Sequence, residues 1–256
     1  MRRSEFLTNF SMTRTKNTAA AAEVLRGIKA SLPMTIGFVP IALILGATGA
    51  QTGMSAVGVG LMTAINFAGG SEFAALALWS ATPPILAIIL TTWLINSRHI
   101  MLSAALTPYV TQLSLPKALA VFFIMCDETW ALSMQDIDKR RKAGLPDAEA
   151  FSFPFYMGVG LSLWVNWWGC AFIGAAVGSG VGDLTDWGIG MAFPVIFISI
   201  LASMWPGTKK CLPWAVSAAA AGLSSLVWSS GVSVAVGSLA GLLAAWLLIT
   251  EESDYV

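Results

Sequence analysis

Charge is scarce in this chain. Only 11% of its 256 residues are Asp, Glu, Lys or Arg, against about a quarter in ordinary soluble domains. With 56% hydrophobic residues and a mean hydropathy of +0.74, that shortage excludes a soluble globular domain and reads as an all-α polytopic membrane protein. The formal net charge is zero, so a nucleic-acid partner is not expected. Histidine occurs once, as His99, and cysteine three times, as Cys126, Cys170 and Cys211. An odd number of cysteines with no pairing pattern gives no disulfide framework, and the three read as small core residues. One histidine and scattered cysteines make no zinc set, and no H-E-x-x-H motif is present. A glycine-rich phosphate loop and a nucleophile–base pair are also missing. No enzyme activity, cofactor or metal is therefore expected. Early in the chain no apolar stretch precedes a small-residue cleavage site, so the N-terminus is expected to be retained.

What is abundant is apolar length. About 20 apolar residues cross the hydrocarbon core. On that rule spans are expected at about 31–50, 54–82, 84–110, 116–136, 151–181, 187–206, 211–229 and 231–250, eight in all. The organisation is a polar segment 1–30, one transmembrane domain 31–250 and a tail 251–256. The second span carries Phe67-Ala68-Gly69-Gly70-Ser71-Glu72-Phe73, and paired glycines weaken a helix, so a break is expected at Gly69-Gly70. A broken full crossing and two re-entrant halves fit the pattern equally. Pro33 and Pro40 kink the first span, either for packing or to free carbonyls for a cavity.

Lysine and arginine fall in clusters: six before the first span, the run Lys139-Arg140-Arg141-Lys142, and Lys209-Lys210. With eight crossings all three clusters share one side, which predicts cytoplasmic N- and C-termini and leaves Lys117 alone outside. The back half reads as packing scaffold. Gly174-x-x-x-Gly178 and Gly237-x-x-x-Gly241 allow close helix contact. Trp164, Trp167, Trp168, Trp187, Trp205, Trp214, Trp228 and Trp246 supply rings for an aromatic belt. Asn166 reads as helix glue or as an amide able to reach a site.

The candidate site is the set of charges inside apolar segments. An arginine at mid-membrane costs at least ~2.5–3.5 kcal/mol on insertion scales, so Arg98 needs partners or water. It suits a substrate carboxylate, or an ion pair with Glu72 or Asp127. His99, its neighbour, points about 100° away on a helix and is either a proton relay or bonded to a carbonyl. A half-helix starting at Gly70 or Ser71 offers free N–H groups to a carboxylate ligand, unless Glu72 caps that end itself. Asp127 and Glu128 disfavour ionising together in low dielectric. Three acids against one arginine leave an excess of negative charge, which a proton or an ammonium group relieves. Substrate binding is therefore expected at Gly69, Gly70, Ser71, Glu72, Arg98, Asp127 and Glu128, and proton coupling at Glu72, His99, Asp127 and Glu128.

Ser31-Leu32-Pro33, Gly37-Phe38-Val39-Pro40, Phe67–Phe73, Asn96-Ser97-Arg98-His99, Asp127–Leu132 and Met191–Phe197 occur in this order over nearly the whole chain. In them the sequence resembles the AzlC family, the large subunit of bacterial branched-chain amino acid exporters. Where that family usually has glutamine, this chain has Glu72, which adds a carboxylate to the presumed site. The resemblance implies a secondary transporter in the bacterial inner membrane that exports leucine, isoleucine, valine or methionine. It also implies a small, separately encoded AzlD-like membrane subunit as partner, besides the lipid bilayer. Arg98 and the half-helix end near Gly70 would then hold the substrate carboxylate, and Asp127 or Glu128 its ammonium. Rival readings are a channel or uniporter for a small solute, and a non-transporting membrane assembly subunit.

Overall fold

The computed structural model describes residues 2–178, Ile198, 211–228 and 230–249, with side chains from Thr18 onward, and every element in these stretches is helical. The expected span 187–206, the Met191–Phe197 stretch, Trp187, Trp205, Lys209, Lys210 and the tail 251–256 lie outside the described residues.

Helix α1 (Arg2–Gln51) and helix α9 (Phe153–Gly178) form the spine of the molecule. Val24 faces Gly158, Gly27 faces Phe155, Leu43 faces Gly174 and Gly46 faces Ala171, so numbering climbs together and the two helices are parallel. A Cβ on Gly46 or Gly174 would overlap the carbonyl of Ala171 or Leu43. Only glycine permits this backbone-to-backbone approach. In an apolar solvent such packing replaces the hydrophobic drive that holds soluble helices together. The small-residue spacing at Gly174 and Gly178 thus meets α1, and Ser31 and Ser162 bond across the contact at 2.6 Å.

The spine has an Arg26 end and a Gly178 end, and the other helices can be placed against it. Helix α2 (Ala56–Asn66) starts at the Gly178 end, where Val59 meets Gly49. Gly60 then lies on Phe172, and the Ala64 carbonyl accepts from Trp164 Nε1 at 2.8 Å, so α2 runs inward, antiparallel to α9. Ser55 caps its start by accepting from Gly58 N at 3.0 Å. Phe67 ends it with φ 44 and ψ 48, a left-handed conformation that is costly for an aromatic residue.

Helix α3 (Gly70–Leu78) does not carry on to the Arg26 end. Met54 and Gly58 from the start of α2 line the same cavity as Trp79 from just beyond α3, so α3 doubles back. Helices α4 (Ile85–Asn96) and α5 (Arg98–Val110) follow. Ser97 between them keeps helical dihedrals, and together they form one helix, Ile85–Val110. It begins beside α3, passes the tip of the α2–α3 hairpin at Asn96, and ends with Leu106 and Val110 packed on Ile137, Ala150 and Tyr156 near the Arg26 end.

Helix α6 (Leu115–Phe123) then climbs from that end. Lys117 sits 5.4 Å over the Phe153 ring, the Val121 carbonyl accepts from Tyr156 Oη at 2.9 Å, and Ile124 lies on Gly160. Helix α7 (Asp127–Lys142) starts beside Arg98 and returns, delivering Asp136 and Arg140 to Arg26 and Glu23. There Arg26 Nη2 bonds Asp136 Oδ2 at 2.9 Å, Arg140 Nε bonds the same oxygen at 2.9 Å, and Ser152 donates to Glu23 at 2.7 Å. Helix α8 (Asp147–Ala150) leads into α9. Helices α10 (Leu212–Ser224) and α11 (Ser230–Ile249) pack as a pair, with Gly237 and Gly241 against Ser217 and Ala221.

A full-length helix followed by a half-length hairpin therefore occurs twice, and the second copy is inverted. Among the described residues three helices are long and apolar enough to cross a membrane: Thr18–Gln51, Ile85–Val110 and Phe153–Gly178. Of the two readings open for 54–82, the structure has the two re-entrant halves, and 116–136, expected as one crossing, is likewise a helix pair that enters and leaves at one end of the spine. Length and hydropathy alone do not distinguish two half-helices from one whole helix. One consequence is that Lys117, expected apart from the other cations, shares the Arg26 end with Lys139–Lys142.

Candidate functional site

The two hairpin tips meet the middle of the Ile85–Val110 helix. At the first tip Glu72 is buried, 1% exposed. Its carboxylate accepts from Trp167 Nε1 at 2.8 Å, from the backbone N–H of Ala68 at 3.2 Å and from Asn66 Nδ2 at 3.4 Å. Glu72 stands in the first turn of α3 and reaches back to the N–H just before the Gly69 cap, in the manner of a capping box. The capping role is thus realised, and it sits beside a cavity. Gly69, with φ 30, turns the chain under the Trp167 ring, and Gly70 and Ser71 open the helix. Ser71 Oγ accepts from Asn66 Nδ2 at 2.8 Å, and Asn66 Oδ1 accepts from Asn96 Nδ2 at 3.0 Å. An amide chain thereby ties the first tip to α4.

Above this tip lies an open cavity of about 450 Å³ between α2, α3 and α4, with its mouth at the exposed Leu61 and Ile65. Met54, Leu61, Ile65, Ala75, Trp79 and Ile88 give it apolar walls, while Asn66, Ser71 and Glu72 give it a polar floor. That is the general make-up of a small-molecule site, in which a few polar groups orient an otherwise apolar ligand.

At the second tip Asp127 begins α7 and pairs with Arg98 at 3.1 Å, each side chain about one-third exposed. Of the two ion pairs open to Arg98 in the sequence, the structure makes the one with Asp127. Arg98 Nε and Asn96 Oδ1 are buried without a protein partner. Glu128 follows Asp127 in the same turn and joins no ion pair among the described residues. His99 turns back on its own helix, with Nδ1 3.2 Å from the Asn96 carbonyl. The candidate residues therefore fall into two groups, Gly69–Glu72 with the cavity and Arg98–Asp127–Glu128 beyond it, and the Asn66–Asn96 bond lies between them.

Asn66 and Trp167 were not expected in this role. Asn66, a lone amide in an apolar run just before the glycine pair, carried a usable signal; Trp167, 95 residues from Glu72, carried none. The belt reading of the tryptophans is corrected for two of them. Trp167 is 5% exposed and Trp164 donates to Ala64, whereas Trp228 and Trp246 do face outward. Asn166 Oδ1 is buried without a partner and is not part of the Glu72 network. Cys126 is buried at the second tip, while Cys170 and Cys211 are only partly covered.

The family model described as "AzlC protein" matches residues 33–181, more than half of the chain and all of both hairpins. The chain belongs to the AzlC family. Among its relatives is "Inner membrane protein YgaZ" of Escherichia coli K12, 26% identical over 230 residues that cover 88% of this chain and 90% of that protein. An "Uncharacterized membrane protein" of Archaeoglobus fulgidus is 27% identical over 224 residues, 86% of this chain and 94% of its own length. No solved structure matches. Membership in this family, long apolar helices and relatives named as membrane proteins give the chain a membrane location.

Proposed function

We propose that this AzlC-family protein is a secondary transporter that exports branched-chain amino acids across the bacterial inner membrane, coupled to protons and working with a small membrane subunit. One observation carries the reading: two half-length hairpins enter from opposite ends and stop with the N-termini of α3 and α7 on either side of Asn96–Arg98. Discontinuous helices that end at mid-depth and come as an inverted pair are the architecture on which many transporters build a site for alternating access. Buried charge at that depth is costly unless it serves transport or is paired. The cavity is the first station, where Gly69, Gly70, Ser71 and Glu72 receive the substrate head group. Arg98, Asp127 and Glu128 form the second, where an arginine released from Asp127 takes the carboxylate and the freed acids take the ammonium. Glu72, His99, Asp127 and Glu128 are the candidates for moving protons.

The Arg26 end carries Lys117 and Lys139–Lys142 besides the basic start of α1, and the positive-inside rule makes it cytoplasmic. Efflux of labelled leucine from loaded cells tests the reading. It should collapse in Arg98→Gln and respond to an imposed pH gradient. Unchanged efflux at normal protein level removes Arg98 from the path, and indifference to the gradient removes the proton.

A further inference from the structure

Glu72 is a carboxylate without a countercharge. The ion pairs of this end of the molecule leave it out: Arg98 is taken by Asp127, and the three donors that hold Glu72 (an indole, a side-chain amide and a backbone N–H) are all neutral. A carboxylate has about four acceptor sites, so the three bonds leave room for one more donor. The cavity is where that donor can arrive. Glu72 lines it, and among its described lining residues there is no Arg, Lys or His to hold an anion. The three neutral donors partly offset its burial, and a carboxylate left without a countercharge there still favours taking up a proton or a cation.

We propose that this cavity binds the ammonium group of a small branched alkyl amine, and that at Glu72 the ammonium and a proton exclude each other. When the ammonium enters, the Glu72 carboxyl gives its proton to solvent and its oxygen accepts the ammonium N–H; when the ammonium leaves, a proton returns. The branched apolar body rests between Leu61, Ile65, Ala75 and Ile88, with Trp79 at the outer wall. The ligand's own carboxylate is not read at this station, so the amine alone suffices. Trp167 and Asn66 act as positioning residues that hold the carboxylate toward the cavity floor. The titratable groups on the packed neighbours are Cys126 at the cap of α7 and Cys170 of α9, in or against the same core cluster, and Arg98, His99, Asp127 and Glu128 beyond Asn96; none bonds to Glu72. One carboxylate that alternates between two cations gives one-for-one exchange without a second coupling site. The direction of that exchange rests on the transporter reading, but the binding step does not.

Calorimetry on the full-length protein in lipid nanodiscs tests this with leucine, 3-methylbutylamine and 4-methylpentanoate. Leucine and the amine should compete, each releasing a proton, and both should weaken by up to about tenfold per pH unit as pH falls through the range in which Glu72 titrates. 4-Methylpentanoate should not compete at about 100-fold excess over the amine's Kd. Glu72→Gln should abolish amine binding and its pH dependence in protein that still folds, with a lowered melting temperature because the glutamine amide cannot accept from all three donors. Thr92→Trp, which fills the cavity from α4 and leaves Glu72 intact, should weaken the amine about tenfold or more and keeps the test decisive if Glu72→Gln does not fold. Competition by the acid but not the amine, or amine binding that survives Glu72→Gln or ignores Thr92→Trp, overturns the proposal. Leucine efflux from vesicles with no amine binding would sink this site and leave the transport reading standing. Amine binding with leucine neither bound nor moved would do the reverse.

Discussion

Trp167 Nε1 donates to the Glu72 carboxylate across 2.8 Å, joining the middle of α9 to the inner tip of the α2–α3 hairpin. The bond has no local origin, since 95 residues separate its partners. It exists because α2 runs antiparallel to α9 and stops level with Trp167, with Gly69 in contact with the indole ring. A hydrogen bond to a charged acceptor is worth about 1.5–3 kcal/mol. Trp167→Phe keeps most of the ring volume and removes the donor. Leucine efflux should fall by about tenfold or more while the protein still accumulates, because the bulk of the packing is retained. Wild-type efflux in Trp167→Phe would show that the bond serves the fold alone.

The placement of the hairpins predicts sidedness. In a background with Cys126, Cys170 and Cys211 replaced, a cysteine at Ser80 should react with an impermeant thiol reagent from the side opposite to one at Ala19, which precedes the crossing part of α1 on the Arg26 side. Both positions are exposed. If 54–82 were a single crossing, Ser80 would instead label from the same side as Ala19. Labelling from that side would contradict the hairpin.

The α1–α9 contact predicts a sharp difference between two glycines of one helix. Gly46→Leu drives a side chain into the Ala171 backbone and should cost more than about 3 kcal/mol, at or beyond the upper range of overpacking, with loss of folded protein on extraction. Gly37 has nothing within 4 Å of its Cβ position. Gly37→Ala should be neutral or stabilising by up to about 1 kcal/mol. Thermal melts in detergent read both.

At the Arg26 end two acids of α7 should behave differently. Asp136, whose side chain is 8% exposed, bonds both Arg26 and Arg140, and Asp136→Asn leaves two guanidinium groups short of charge. The expected loss is about 1–3 kcal/mol, less than for a fully buried pair because Arg26 is itself partly exposed. Asp138, 56% exposed and paired with Lys142, should cost at most about 0.5 kcal/mol as Asp138→Asn. Equal melting temperatures for the two variants would show that the cluster does not hold α7 to α1.

The sequence was readable where the signal is chemical and local. Paired glycines beside Glu72, an arginine inside an apolar run and an acid pair at Asp127–Glu128 all mark the tips, because glycine pairs weaken a span and intramembrane charge is costly, so neither persists there without a use. It was not readable where the signal is the direction of the chain. An apolar stretch of 54–82 is long enough for one crossing, and nothing in its composition says that α3 turns back; the turn is fixed by the left-handed Phe67, by Gly69 and by Trp167 from a remote helix. The same blindness misplaced Lys117. The Arg26–Asp136–Arg140–Glu23 cluster was likewise hidden, because its members come from the middle of α1 and the later turns of α7, more than 100 residues apart.

The glycine-lined contact between α1 and α9 leaves almost no slack. Side chains that interdigitate can slip by a notch, but a peptide carbonyl pressed against a bare Cα cannot roll or slide without a collision at Gly27, Gly46, Gly158 or Gly174. On the proposed transport reading, the rearrangement that would carry a solute past Asn96 is a swing of the two hairpins against a mast that stands still.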